Sequence, residues 1–307
     1  LKELCAFENI DPAALVKQLQ AAGFRPEEGV LSGLLRERDG RVMDTLRSRI
    51  VFPICDPQDR PIALGGRLIG EGQPKYLNTP ESPVYSKRQQ LFALNLARGS
   101  ASRAEEAIVA EGYLDVIMLH QAGFDRAVAS LGTSLTSEQA ALLRRYVKNV
   151  VLAYDSDRAG ENATVKAIGL FEEAGLRVRV AVLPSGQDPD SLIRSAGPEV
   201  MATRIEQAES VIDYMMQRAE QRNDLSTPEG KEDYSREVLP VVGALRDPVR
   251  KDAYMRRVAS KLQVSESRLA WKMPREAKVD RSPKADRAAR FDPEERLLRI
   301  LAHSPTY

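Results

Sequence analysis

AIVAEGYLDVIMLHQAGFDRAVASLG, Ala107 to Gly132, sets a short apolar run against a helical pattern and then a second apolar run. The runs AIVAE and RAVASLG are short and β-rich, whereas YLDVIMLHQAG between them has the length of a helix. The alternation continues through TSEQAALLRRYV, NVVLAYD, RAGENATVKAIGLFEEAG and RVRVAVLP. Strand and helix in turn over residues 107–196 predict βαβ units and a parallel sheet. Ligands of such a sheet gather at the carboxyl ends of its strands. Acidic residues stand at those ends: Glu111 with Asp115 after the first run, Asp155 and Asp157 after NVVLAY, and Asp188 and Asp190 beyond RVRVAVLP.

Clustered carboxylates repel one another and stay ionised together only with cations between them. Oxygen-only ligands favour Mg²⁺ or Mn²⁺, and divalent ions in such sites act mostly on phosphates. The two-residue spacing of Asp155 and Asp157 puts both on one side of an extended backbone. Gly112 allows a sharp turn after Glu111. Each group also has a plain reading: Asp157 as a helix cap, Asp115 as a first-turn acid favoured by the helix dipole, and Asp188-Pro189-Asp190 as a turn. Convergence of the three groups is what favours metal.

Outward from this core, the 307 residues are 43% hydrophobic and 29% charged, with net charge +1. Those values fit a globular protein of one to three domains, and the global charge does not announce nucleic acid. Cys5 and Cys55 form no CxxC pair, and His120 and His303 are the only histidines. A Cys/His zinc site is not expected. No apolar stretch approaches the ~20 residues of a membrane span, and LKELCAFENID is no signal peptide, so a cytoplasmic location is expected. The chain does not begin with Met, and we expect a piece of a longer protein.

Residues 1–48 read as helical, broken at Gly23, Gly29, Gly33 and Gly40. From Arg49 the runs RIVFPICD, PIALGGRLIG and PKYLN predict a small β-rich module, and SKRQQLFALNLARGSASR predicts a helix entering a Gly/Ser turn. Residues 199–272 read as helical, with a helix start at Ser226-x-x-Glu229. Residues 273–293 are charged and Pro-bearing, as in a linker, and EERLLRILAHSP begins a further helix.

EGYLD, then AYDSDRAG, then DPDSL resemble the Toprim domain, a module of bacterial primases, topoisomerases, some nucleases and a recombination mediator. RSRIVFPICD, ALGGRLIG, PKYLNTPES, SKRQQLFAL and ASLGTSLT further resemble the RNA polymerase core of bacterial replicative DNA primases of the DnaG type, over about residues 30–270. The resemblance implies an α/β chain: an N-terminal α+β module (1–100), a central Toprim parallel-sheet domain (101–198), a helical subdomain (199–272), and a linker with the start of a truncated helicase-binding domain (273–307). It implies a nucleotidyltransferase that makes short RNA primers on single-stranded DNA from ribonucleoside triphosphates. Glu111, Asp155, Asp157, Asp188 and Asp190 would hold two or more Mg²⁺ or Mn²⁺ ions, Glu111 being either ligand or general base, with Asp115 behind them. Arg49, Arg67, Lys75, Tyr76, Asn78 and Lys87 would bind nucleotide and template, with Arg67, Lys75 and Lys87 on the phosphates. The replicative helicase would be met through the mostly missing C-terminal domain. The rival readings are a Toprim nuclease or topoisomerase and a non-catalytic DNA-binding mediator.

Overall fold

The computed structural model describes residues 14–132, 134–154 and 167–270. Asp155 and Asp157, the first part of the helix expected after them (through residue 166), and the expected linker and final helix after 272 lie outside the described residues.

Helices α1 (Ala14–Ala21) and α2 (Pro26–Leu31) open the N-terminal module. The expectation of helix up to residue 48 is corrected here. Residues 35–44 form an antiparallel hairpin, β1 (Leu35–Arg38) with β2 (Arg41–Asp44). Its turn is Asp39-Gly40, both at positive φ (53° and 71°). Asp-Gly suits the two-residue turn whose twist matches a hairpin, so Gly40 closes a turn and does not break a helix. Strands β3 (Arg49–Cys55), β4 (Pro61–Leu68) and β5 (Tyr76–Asn78) form an antiparallel sheet in that order.

Helix α3 (Leu94–Ala104) starts later than SKRQQLF suggests and runs through Gly99-Ser100 without a turn. Before it, Phe92 makes backbone hydrogen bonds in both directions with Ala129, and Ala93 turns into the helix at φ 62°. Ala97 and Ala101 are wholly buried. Small residues there let the helix lie close on the sheet, and this packing outweighs the Gly/Ser signal.

The central sheet comprises β6 (Glu106–Ala110), β7 (Ala127–Ala129), β8 (Asn149–Leu152), β9 (Arg177–Val180) and β10 (Glu209–Ser210), in the order β10-β9-β8-β6-β7. Its first four strands are parallel, and β10 joins antiparallel at the edge. They are joined by α4 (Tyr113–Gln121), α5 (Ser137–Arg144) and α6, described over residues 167–173, and α7 (Pro189–Ala196) follows β9. Alternate residues serve opposite cores. Ala107 and Val109 join one with Val150, Leu152 and Phe171; Ile108 and Ala110 join the other with Val116, Val151 and Leu192. Both faces are covered, which is why the strands read as unbroken apolar runs. Each fully buried Val, Leu, Ile or Phe side chain here contributes about 1.5–3 kcal/mol relative to exposure.

Chain order and spatial order together place the site. From β6 the chain moves outward to β7, and from β8 it moves the opposite way to β9. The neighbouring carboxyl ends of β6 and β8 are therefore the switch point of the sheet, where a ligand crevice opens.

The helical part comprises α8 (Pro198–Glu206), α9 (Val211–Arg222), α10 (Pro228–Gly243), α11 (Pro248–Leu262) and α12 (Glu266–Ala270). The start expected at Ser226 shifts by one residue: Thr227 caps α10, its Oγ1 accepting from Gly230 N–H at 3.0 Å. Helices α9, α10 and α11 close over the sheet through Tyr214, Tyr234, Val238 and Val258. Among the described residues, no helix is long and apolar enough to cross a membrane.

Candidate functional site

Glu111 directly follows β6 and lines a cleft of about 200 Å³ together with Gly112, Tyr113, Ser130, Leu131 and Gly132. The opposite wall comes from the N-terminal module: Tyr76, Asn78 and Lys87. Segments well separated in sequence thus share one crevice at the carboxyl edge of the sheet. Tyr154, the last described residue before Asp155, has its hydroxyl pKa raised by burial and then by the Glu111 carboxylate. The ends of β6 and β8 therefore feel each other's groups.

Asp115, in the first turn of α4, accepts from Gly112 N–H at 3.2 Å and from Asp190 N–H at 3.3 Å. It ties the start of α4 to the start of α7, as a first-turn acid. Asp188 caps α7, its Oδ1 accepting from Ser191 N–H at 2.7 Å. Asp190 Oδ1 accepts from Arg194 Nε at 2.8 Å on the following turn. Two helix amino-termini, with their partial positive charge, thus face these acids and offset part of their repulsion. Burial raises the pKa of Tyr76; Arg67 opposes that shift, and Asp115, Asp190 and Asp188 add to it. Tyr76 thus stands in the field of three acids from the other module.

Oxygen donors alone suit Mg²⁺ or Mn²⁺. Asp188 and Asp190 each keep an Oδ2 without a hydrogen bond among the described residues. Among the described residues, no group of three His, Cys, Asp or Glu side chains is close enough to hold an ion. Cys55 is a poor metal ligand: burial, then Asp59 and Asp56, push its thiol up to about 12. His120 Nε2 lies 2.9 Å from the Ala127 carbonyl.

The pleat divides the expected nucleotide-binding residues. Register pairs Ile50 with Arg67 and Arg67 with Tyr76, and it pairs Gly65 with Asn78. Arg67, Tyr76 and Asn78 therefore share one face of the β3-β4-β5 sheet, the face turned to Tyr113. Arg67 lies 5.8 Å over the Tyr76 ring. Arg49 has the other parity, and it is buried. Its guanidinium donates to the carbonyls of Gly66 and Lys75, each at 3.2 Å, and of Pro74 at 2.7 Å. Through these bonds Arg49 braces β3 against the β4–β5 connection. Lys75 is exposed, next to the wall and not in it.

Sequence reasoning passed over Tyr113. This residue is 4% exposed, and its ring lies 4.5 Å from Phe92, 5.8 Å from Phe52 and 6.1 Å from Tyr76. Its hydroxyl donates to Asn78 Oδ1 at 2.7 Å, and Asn78 Nδ2 donates to the Leu131 carbonyl at 3.1 Å. Burial, helped by Tyr85, raises the hydroxyl's pKa, so it remains a neutral donor. The signal was present in EGYLD: a large aromatic residue at a helix start beside an acid.

Comparison with known proteins matches each part of the chain. Residues 5–98 match the family described as the DNA primase catalytic core, N-terminal domain. Residues 108–193 match the Toprim-like family. Residues 212–267, within α9 to α12, match the DnaB-helicase binding domain of primase. The DNA primase of Geobacillus stearothermophilus is 37% identical over 274 residues, covering 89% of this chain and 46% of that protein. The chain thus spans about half the length of the curated relatives it matches. A DNA primase domain from Pseudomonas aeruginosa superposes with TM-score 0.75 at 34% identity, covering 86% of this chain and 84% of that one. The DnaG primase catalytic domain bound to ssDNA does so with TM-score 0.74, also at 34% identity, over 85% and 84%. Matched along both modules and the helical part, and superposing on primase catalytic domains over most of its length, the chain belongs to the bacterial DnaG-type DNA primase family.

Proposed function

We propose that this chain is a primase catalytic core: a nucleotidyltransferase that joins ribonucleoside triphosphates into short RNA primers on single-stranded DNA. The observation that carries this reading is the cleft, where Lys87 and Tyr76 of one module face Glu111 of the other across about 200 Å³. Such a crevice suits a triphosphate, with its charge against Lys87 and its reacting phosphorus toward the acids. In the reaction a primer 3′-hydroxyl attacks the α-phosphate, the oxygen–phosphorus bond to the pyrophosphate breaks, and the hydroxyl proton leaves to a base or water.

Glu111, Asp155, Asp157, Asp188 and Asp190 are the residues that would hold Mg²⁺ or Mn²⁺. When bound, such ions lower the hydroxyl's pKa and neutralise charge on the phosphates. Asp115 orients the loops that carry Glu111 and Asp190. Arg67, held on Tyr76, and Lys87 are assigned to the phosphates. We divide the chain at residues 1–100, 101–198, 199–272 and 273–307. The helicase match at 212–267 supports a replicative helicase as partner, and a cytoplasmic location accords with that role. The complex of a relative with ssDNA supports the template.

Incubation with single-stranded DNA, labelled ribonucleotides and Mg²⁺ or Mn²⁺ tests the reading. Primer-length RNA is expected. Nicked DNA would instead favour the nuclease reading, and binding without product the mediator. Lys87→Ala is expected to raise the KM for nucleotide about tenfold, since a charge-assisted hydrogen bond is worth roughly 1.5–3 kcal/mol. Single-strand affinity should change far less. A loss of DNA affinity with unchanged KM would move Lys87 to the template.

The outer face of the β1–β2 hairpin is a candidate template track. Register and pleat put Arg36, Arg38 and Arg41 on one face. Burial, then Arg47 and Arg38, lowers the pKa of Arg36, as expected where cations are crowded together. Lost phosphate contacts reduce the salt slope of single-strand binding by about 0.7 each. The double variant Arg38→Gln/Arg41→Gln should therefore flatten a plot of log affinity against log salt by about 1.4. An unchanged slope would take the hairpin out of the track.

A further inference from the structure

We infer that Tyr113 is a positioning residue that locks the acidic loop after β6 to the nucleotide wall of the cleft. The inference rests on the primase reading and adds to it a role for a residue that touches neither metal nor nucleotide in that reading.

The backbone of Tyr113 begins α4 two residues after Glu111, so wherever this residue sits, Glu111 follows. Its side chain leaves the central sheet and enters the other module. The ring packs between Phe92, which bridges to β7, and Phe52 of β3. The hydroxyl reaches Asn78 on β5, and the Asn78 amide continues to the Leu131 carbonyl after β7. One clasp thus joins the loop after β6, the loop after β7 and the β5 wall, and all three line the same cleft.

Gly65 shows how closely the clasp is fitted. A Cβ on Gly65 would lie 2.8 Å from Tyr113 Cε2 and 3.1 Å from Asn78 Oδ1. The strand behind the clasp leaves no room for either group to retreat. Such a device fixes the distance between the acids and the phosphate-binding side chains, the quantity on which in-line transfer depends. A displacement of about 1 Å in that geometry can cost on the order of a hundredfold in rate.

The test is single-turnover extension of a preannealed RNA primer on single-stranded DNA, at saturating nucleotide and metal. The rate constant reports geometry in the assembled site, and the amplitude reports how many molecules are folded and bound. Tyr113→Phe keeps the ring and removes only the hydroxyl. It is expected to lower the rate constant tenfold or more with the amplitude retained. Gly65→Ala, which pushes the clasp from behind without deleting a polar group, should lower the rate constant in the same way. Adding Tyr113→Phe to the near-isosteric Asn78→Leu should cost nothing further, because the bond is already gone. A wild-type rate constant in Tyr113→Phe, loss of amplitude alone, or multiplying effects in the double variant would overturn the clasp. A wild-type chain that extends no primer would overturn the primase reading and this inference with it.

Discussion

Glu111→Gln is expected to lower primer synthesis by about a thousandfold, the upper range for loss of one preorganised electrostatic group at a reacting centre. The substitution keeps size and removes charge. Glu111 sits at the switch point where β6 and β8 diverge, on the wall opposite Lys87. Its carboxylate already bears on Tyr154, next in sequence to Asp155. The same loss is expected for Asp155→Asn and Asp157→Asn. Stability should move the other way. Without metal these variants should melt at or above the wild-type temperature, because a carboxylate has left a crowded group. Mn²⁺ should raise the wild-type melting temperature, by mass action worth about 2.7 kcal/mol at a hundredfold excess over Kd, and raise that of Glu111→Gln much less. Thermal melts with and without Mn²⁺, beside a primer assay, check both halves. Full synthesis by Glu111→Gln, or equal Mn²⁺ shifts in the two proteins, would remove Glu111 from the metal site.

Gly230→Ala is expected to destabilise the helical part by about 3 kcal/mol, the cost of a forced overpacking. Helix propensity alone predicts a gain of up to about 1 kcal/mol for Gly→Ala within a helix. Local geometry reverses the sign. Residues 224–227 fold back over the start of α10: Thr227 N–H and Oγ1 both donate to the Asp224 carbonyl, at 3.1 and 2.9 Å. A Cβ on Gly230 would fall 2.0 Å from that carbonyl oxygen and 2.6 Å from its carbon. These are backbone atoms, so no rotamer change relieves the clash. The turn must open, and Thr227 loses its capping bond to Gly230. Denaturant unfolding of the purified variant measures the change. A neutral or stabilising result would mean that the 224–227 turn yields freely and does not hold α10 in place.

Glu111 and the sheet were legible in sequence for one reason. A strand buried on both faces is a continuous apolar run, and a carboxylate that ends such a run lies at the sheet's edge. Runs ending at Glu111 and Tyr154, and the helices between them, need no knowledge of the rest of the chain. The hairpin at 35–44 was equally local, carried by Asp39-Gly40, but a reading of glycines as helix breaks concealed it.

Other features depended on partners distant in sequence. The order β9-β8-β6-β7 makes β6 and β8 neighbours although β7 lies between them in the chain, and that adjacency creates the crevice. Pleat parity is fixed within a strand, yet which face meets the acids follows from register between strands. So Arg67 shares the sheet face of Tyr76, which lines the cleft, whereas Arg49, equally basic in sequence, is buried among carbonyls. Tyr113 stood in the acidic motif itself, but its hydroxyl finds Asn78 35 residues away. The sequence by itself determined which segments become strands and where their charges end. Only the tertiary structure decided which charges meet, because spacing along a chain encodes periodicity within an element and packing alone selects its neighbours.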